Sequence, residues 1–239
     1  MTRHALLNNI DHRDLRVAIG HGAQWGDAEM AALTFPAEFR NIQAHYPIVF
    51  QKTGDDGFQP LALLGLRQGE NLFLDPQART GTGWDAWYVP MSMRRQPFLI
   101  GQDAEGGMAV HVDLDHPRVG AAEGQALFLL HGGTSEFLQG VSDLLGQLHG
   151  GVAQTPEFVA ALMRAQLLES FVLDIESADG AQRRVAGLYA IHEERLRALE
   201  GPTLEALHRE GWLEAAWMAV ASLAHLRDLI ERDRRRHAG

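Results

Sequence analysis

Apolar residues in the first half of the chain form short runs, and clusters of glycine, asparagine and aspartate separate these runs. Apolar runs between turn residues are typical of strands that are joined by tight turns. The pattern therefore predicts strands in the following segments of this half: residues 15–19, 46–50, 61–66, 72–74, 88–100, 108–114 and 126–130.

The apolar pattern becomes helical at the start of the second half. From Phe137 to Leu148 apolar residues recur every three or four positions, which predicts a helix with Ser135 as its N-cap. The pair Gly150-Gly151 should end that helix. The sequence Thr155-Pro156-Glu157 should begin another, because it supplies a cap, a proline for the first turn and an acid at the positive end of the dipole.

The last third of the chain contains a hairpin pattern followed by a long helical pattern. Residues 171–175 and 184–191 predict two strands with a turn at Asp179-Gly180. From Trp212 to Ile230 the apolar positions form a wide stripe, which predicts a helix buried on more than one side. The same stripe also fits a helix that is shared with a second copy in a homodimer.

The order of these elements defines the expected fold class. Strands precede helices without regular alternation, so we expect an α+β fold in which a largely antiparallel sheet from the N-terminal half packs with C-terminal helices. A chain of 239 residues without a long linker suits a single domain over residues 1–239. That domain can be subdivided into a strand-rich part, 1–133, and a helix-rich part, 134–239.

Composition and charge exclude several classes of function. A net charge of −10 argues against a general nucleic-acid binder, because phosphate binding needs a basic surface. The absence of cysteine excludes disulfides, thiolate metal sites and cysteine nucleophiles. No apolar run reaches the roughly 18 residues of a membrane helix, and residues 1–20 lack the apolar core of a signal peptide. We therefore expect a cytoplasmic protein that does not insert into membranes.

The segment from residue 87 to residue 98 is the most distinctive stretch of the sequence. It places Trp87 and Tyr88 shortly before Arg94 and Arg95, and a proline follows each pair. Prolines favour extended backbone around them, and on a strand the two arginines would face opposite ways. Guanidinium groups bind carboxylates and phosphates, so these four residues are the candidate contact site for a small anionic ligand or a protein partner.

A structural role is the alternative for each of these four side chains. An arginine of this segment can form an internal ion pair with an acid such as Glu38, Glu70 or Asp113. Aromatic residues near a sheet often fill the core. The residue pattern leaves the functional and the structural interpretation open.

His111 and Asp113 are the residues that most suggest catalysis. On a strand these two side chains share a face, and a distant histidine (His131, His149 or His192) would complete the facial triad of a non-haem iron oxygenase. In that alternative Fe(II) is the cofactor, and Arg118 or Arg184 holds the carboxylate of a co-substrate. A strand end at the surface is the simpler interpretation, and it needs no cofactor.

Several short motifs occur in order along the chain, at residues 46–50, 64–73, 88–90, 94–98, 127–128, 158–162, 167–168, 187–189 and 222–223. Together they resemble the bacterial SapC family over about residues 12–232. The chain departs from the family pattern at Gln96, where the family usually has an aromatic residue. His111 does not match a family feature, whereas Asp113 does.

The resemblance implies an accessory or binding protein more than an enzyme. The family name comes from an association with surface-layer proteins, and no catalytic activity comes with it. Members often have TonB-dependent receptors, tryptophan-halogenase-like proteins and cupin-like oxygenases as gene neighbours. We therefore expect a non-catalytic protein that recognises a protein partner or a small anionic ligand, with an Fe(II)- and 2-oxoglutarate-dependent hydroxylase as the alternative.

Overall fold

A computed structural model of the chain describes residues 3–54, 57–103, 105–176 and 182–237. The described strands are β1 (His4–Leu6), β2 (Arg16–Val17), β3 (Ala31–Leu33), β4 (Ile48–Thr53), β5 (Gly57–Leu63), β6 (Phe98–Gln102), β7 (Met108–Asp113), β8 (Gln125–Ala126), β9 (Leu168–Glu176) and β10 (Gln182–Ile191). The described α-helices are α1 (Phe39–Ile42), α2 (Met91–Arg94), α3 (Glu136–Arg164), α4 (Glu193–Arg197), α5 (Gly201–Arg209), α6 (Trp212–Ser222) and α7 (Leu226–His237).

The chain forms two compact units. The first unit comprises Met1–Ala28, Leu74–Asp85 and Met91–Gly150, and the second comprises Glu29–Phe73, Ala86–Pro90 and Gly151–Gly239. Every strand pairing in the described part of the chain is antiparallel, and both α-helices and strands are present. The predicted α+β fold class is therefore confirmed, while the single domain over residues 1–239 stays a prediction.

The first unit contains a three-stranded sheet in the order β1-β7-β6 and a two-stranded sheet of β2 and β8. The N-terminal half of α3 supplies part of its core. Removing these apolar side chains from water is the main force that holds the unit together. The buried core residues are Val17, Phe98, Val112, Leu127, Leu138, Val141 and Leu145.

The second unit is built on a five-stranded sheet in the order β3-β5-β4-β10-β9. Helix α6 contacts β4 and β10 in this sheet. Ser222 at the end of α6 is buried, and its hydroxyl accepts a hydrogen bond from the Ile48 N–H at 2.8 Å. The same hydroxyl donates to the Ala219 carbonyl at 2.6 Å, so this buried polar group is satisfied on both sides.

The hairpin predicted at residues 171–191 is confirmed as β9 and β10, which pair on both sides of an irregularity between Val185 and Leu188. Its turn at Asp179-Gly180 lies outside the described residues. The strands predicted at 46–50 and 108–114 are also confirmed, as β4 and β7. The predicted strand at 72–74 is wrong, because Phe73 donates its N–H to the Asn71 side chain in a turn instead of to a neighbouring strand.

The extended segment predicted at 88–100 is wrong over most of its length. Residues Met91–Arg94 form the one-turn helix α2, and the strand β6 begins only at Phe98. The N–H of Arg95 donates to the Met91 carbonyl at 3.0 Å, which is a helical hydrogen bond. A proline also suits the start of a helix, since its fixed φ is helical, so Pro90 favours a helix after it as much as a strand.

The helix end predicted at Gly150-Gly151 is also wrong, because α3 continues without a break from Glu136 to Arg164. A Cβ atom on Gly151 would lie 2.1 Å from the ring of Phe35 in the second unit. Gly151 therefore allows the helix backbone to lie close to the Phe35 ring, because it has no side chain. Pro156 lies inside the helix, and the hydroxyl of Thr155 donates to the Gly151 carbonyl at 3.0 Å.

The long helix predicted from Trp212 to Ile230 is interrupted once. Helix α6 ends at Ser222, a 3-10 turn spans Leu223–His225, and α7 then begins at Leu226. The homodimer through this region stays a prediction. No described helix combines the length and the apolar character needed to cross a membrane.

Candidate functional site

The first unit contains a cavity of about 360 Å³ beside Arg94, which we call the Arg94 pocket. Residues 18–21, the segment around Arg94 and the first three turns of α3 enclose it. Its polar wall consists of His21, Arg94, Gln96, Arg118 and Glu136. Its apolar wall includes Ile19, Phe137, Val141 and Leu144. One polar and one apolar wall is the usual composition of a site for a small organic molecule.

A fully buried carboxylate, Asp27, holds two residues of the polar wall in place. Its Oδ2 accepts a hydrogen bond from Arg118 at 2.7 Å and lies 3.3 Å from Nδ1 of His21. The Gly22 N–H donates to the same oxygen at 2.9 Å. Burial by itself raises the pKa of Asp27. The hydrogen bonds from His21 and Gly22 and the charge of Arg118 outweigh it and hold that pKa below its usual value.

Arg118 shapes the neighbouring loop as well as binding Asp27. Its guanidinium is almost completely buried and donates to the carbonyls of Gly20 and Ala18. Its Nε is buried and makes no hydrogen bond within the described residues. Arg118 therefore fixes one edge of the pocket and keeps one donor that no described group uses.

Contacts of both the ring and the backbone fix the orientation of His21. Nδ1 faces Asp27, the ring packs edge-on against Trp84 with 5.1 Å between centroids, and the backbone N–H donates to Thr82 at 2.7 Å. A Cβ on Gly83 would come within 2.3 Å of the His21 carbonyl, so only glycine fits there. With Nδ1 donating to the carboxylate, a neutral His21 presents Nε2 as an acceptor.

Gln96 is held by a neutral histidine. Nε2 of His116 donates to the Gln96 side-chain oxygen at 2.9 Å, and Nδ1 accepts from the Arg118 N–H at 3.2 Å. Burial, followed by the charge of Arg118, lowers the pKa of His116 and outweighs the opposite effect of Asp113. Gln96 thus makes a specific hydrogen bond within the first unit.

The two arginines of the predicted site have different environments. Arg95 is half-buried and donates to the Phe98 carbonyl at 2.9 Å, and burial lowers its pKa. Arg94 is exposed, lines the pocket, and makes no hydrogen bond or ion pair with any residue that the structure describes. The expectation that strand alternation separates them is wrong, because Arg94 ends α2 and Arg95 follows it in a turn.

Trp87 and Tyr88 belong to the second unit, whereas both arginines belong to the first. The Tyr88 hydroxyl donates to Glu38 at 2.9 Å, and its carbonyl accepts from the Tyr46 hydroxyl, which gives it a structural role. Trp87 is 80% exposed. Exposed tryptophan is a side chain that often anchors protein interfaces, so a partner contact at Trp87 stays a prediction.

Comparison with known proteins identifies the family. The family model described as SapC matches residues 7–229, which include every residue of the Arg94 pocket. The chain belongs to the SapC family. No curated protein and no solved structure matches it.

In this SapC protein His111 and Asp113 lie two residues apart on β7, as predicted. The His111 ring packs closely against Gly101, and its Nε2 lies 3.3 Å from the Gln102 carbonyl. Asp113 accepts a hydrogen bond from the Asp115 N–H at 3.1 Å. Within the described residues, neither belongs to a group of three close metal-ligand side chains, and the iron site stays a prediction.

The sequence indicated Arg94 but not most of the other residues that line the Arg94 pocket. His21, Asp27 and Glu136 carry no motif, and Arg118 was considered only as a ligand of a co-substrate. Asp27 and Arg118 are 91 positions apart in the chain. The one sequence feature that could have indicated this site is Asp27, which lies in a largely uncharged stretch. A single sequence does not indicate which distant residue pairs with it.

Proposed function

We propose that this SapC protein binds a small carboxylate-bearing molecule with an apolar body in the Arg94 pocket, without catalysing a reaction on it. The observation that carries this proposal is that Arg94 lines a cavity and that its side chain makes no hydrogen bond or ion pair within the described residues. A guanidinium in such a position is suited to bidentate binding of a carboxylate.

The other polar groups support an anionic ligand. Arg118 adds a second arginine to the wall, and its guanidinium is paired with Asp27. Glu136 is the one acid of the wall, and it is exposed at the first residue of α3. Water and salt screen an exposed charge, so Glu136 weakens the attraction for an anion without cancelling it.

The apolar wall supports a ligand with a hydrocarbon or aromatic body. Phe137, Val141 and Leu144 lie along α3 at helical spacing and line the same cavity. Burying apolar ligand surface contributes about 25 cal/mol per Å². The family resemblance implies gene neighbours that encode TonB-dependent receptors. We therefore further propose that the ligand is a compound taken up by the proteins of a nutrient-uptake locus.

Replacing Arg94 by alanine is expected to abolish carboxylate recognition. The probes are aryl and alkyl carboxylates, each paired with its neutral carboxamide, with binding measured by ligand-observed NMR and calorimetry at low salt. A hydrogen bond to a charged group contributes about 1.5–3 kcal/mol. Wild type should therefore prefer the best acid over its amide by about tenfold or more, and R94A should bind both equally weakly.

Arg79→Ala is the matched control, because Arg79 is another exposed arginine of the first unit that does not line the pocket. Its acid preference should equal that of wild type, and all three proteins should melt at the same temperature. An acid preference that survives in R94A, or the absence of any acid preference in wild type, would refute the proposed function.

Replacing Glu136 by glutamine should change affinity in the opposite direction. The substitution removes the one negative charge of the pocket wall and keeps the shape of the side chain. We expect simple carboxylates to bind several-fold more tightly to E136Q than to wild type, with the difference shrinking as salt is added. Calorimetric titrations at two salt concentrations measure this. Weaker binding of the same acids to E136Q would contradict the role of Glu136 as a repelling charge in the pocket wall.

A further inference from the structure

The second unit contains a cluster of side chains that the proposed function does not use. Asp233 and His237 are one helical turn apart on α7, and Glu70 comes from the loop after β5. Nε2 of His237 lies 2.7 Å from Glu70 Oε1 and 3.6 Å from Asp233 Oδ1. One ligand atom from each of the three residues lies within 4.8 Å of the other two.

Two oxygens of this cluster are buried and make no hydrogen bond within the described residues. They are Oε2 of Glu70 and Oδ1 of Asp233. Asp233 is completely buried, and the polar contacts of its Oδ1 among the residues with described positions are ion pairs of 3.6 Å with Arg67 and His237. Buried carboxylate oxygens normally have a hydrogen-bond partner or coordinate a cation.

The remaining contacts of the cluster orient its side chains. Arg183 donates to Oδ2 of Asp233 at 2.7 Å, which leaves Oδ1 directed at His237 and Arg67. A Cβ on Gly65 would lie 2.2 Å from the Glu70 carbonyl, so glycine allows the loop to fold back at Glu70. Hydrogen bonds of this kind to a coordinating carboxylate are a regular feature of metal sites.

The distances from His237 Nε2 to the two carboxylate oxygens are compatible with zinc. Zinc binds histidine nitrogen and carboxylate oxygen at about 2.0–2.2 Å in tetrahedral geometry, which places neighbouring ligand atoms roughly 3.3 Å apart. The separations of 2.7 and 3.6 Å lie on either side of that value. A histidine ligand selects zinc over magnesium or calcium, which prefer oxygen ligands alone.

We propose that Glu70, Asp233 and His237 bind one zinc ion, with water as its fourth ligand. Arg67 competes with the metal for Oδ1 of Asp233, from 3.6 Å. Its side chain is 40% exposed and can turn into solvent when the metal binds. Two of the three ligands follow residue 229, where the SapC match ends, so the family match does not cover the whole site.

The test uses full-length protein without a histidine tag, treated with a chelator and then titrated with ZnCl₂ against a chromophoric competitor. Wild type should bind one equivalent of zinc, and Co²⁺ in its place should give the visible absorption of a four-coordinate ion. H237Q and E70Q should each weaken zinc binding by at least about tenfold, since even outer contacts of a metal site change affinity 10–100-fold. Excess Mg²⁺ should not displace the zinc.

Two further variants separate a metal site from an ion-pair network. His149→Gln removes an exposed histidine from α3 and should leave zinc affinity unchanged. Arg67→Gln should tighten zinc binding, because it removes the competing cation from Asp233. Stoichiometric binding that H237Q and E70Q leave intact, or a weakening in R67Q, would refute the site. Melting curves recorded without metal establish that each variant is folded.

Discussion

Replacing Asp27 by asparagine is expected to lower the free energy of unfolding of the first unit by about 3–5 kcal/mol, because it leaves Arg118 as a buried charge without a counter-ion. Asp27 and Arg118 are both almost completely buried and form a 2.7 Å ion pair. The asparagine keeps the size of the side chain, so the loss reflects charge and not a cavity. Chemical denaturation monitored by tryptophan fluorescence, which reports on Trp84, measures the change.

The same carboxylate should make stability fall in acid. The pKa of Asp27 is lowered in the folded protein, so its contribution is fully present above the ordinary aspartate pKa of about 3.9. That contribution is lost as the pH falls from there through the lower folded pKa. Wild type should lose stability over this range, and the part of the loss that Asp27 causes should be missing from D27N.

Asp174→Asn is the control for both measurements. Asp174 pairs with Arg184 through two hydrogen bonds of 2.7 and 3.1 Å, but both side chains are exposed. Exposed pairs contribute little to stability because water screens them. D174N should therefore unfold close to wild type. An equally small effect of D27N would contradict the role of Asp27 as the anchor of His21 and Arg118.

Replacing Phe158 by alanine should destabilise the second unit by about 3–5 kcal/mol, the usual cost of deleting a buried phenylalanine ring. Phe158 on α3 is fully buried. Its ring centroid lies 5.8 Å from that of Phe39, 6.3 Å from that of Phe50 and 5.5 Å from that of Trp212. One ring thus joins α3, α1, β4 and α6, and its removal leaves a cavity that this packing cannot fill. Urea denaturation measures the loss.

Trp217→Ala is the matched control, because it also truncates an aromatic side chain of the second unit. Trp217 on α6 is 37% exposed, so its removal opens no closed cavity. W217A should cost clearly less stability than F158A. Equal losses in the two variants would mean that Phe158 is not the centre of this core.

The features that the sequence predicted correctly depend on neighbouring residues. Features that depend on contacts between distant positions of the chain were not predicted. The hairpin of β9 and β10 and the apolar face of α3 follow from local periodicity, and both are present. The turn of helix at Met91–Arg94 was missed because Pro90 permits either an extended or a helical continuation. The continuity of α3 was missed because the contact of Gly151 with Phe35 spans more than a hundred positions.

The candidate site shows the same limit. Arg94 was identified from its unusual neighbourhood in the sequence, and it is one of the residues that line a cavity. Arg95 donates to the Phe98 carbonyl, and its part in a common contact site with Arg94 stays a prediction. In the local sequence Arg94 and Arg95 are equally good candidates for binding an anion. The structure distinguishes them by burial, since Arg94 is exposed and Arg95 is half-buried.

The sequence by itself determined the α+β class, the main hairpin, the acidic charge and membership of the SapC family, because each of these depends on composition, local periodicity or ordered motifs. Tertiary structure alone decided which charges are buried and which side chains meet. Asp27 reaches Arg118, and Glu70 reaches His237, across 91 and 167 positions. Such contacts depend on the packing of the whole unit, and no local pattern encodes them.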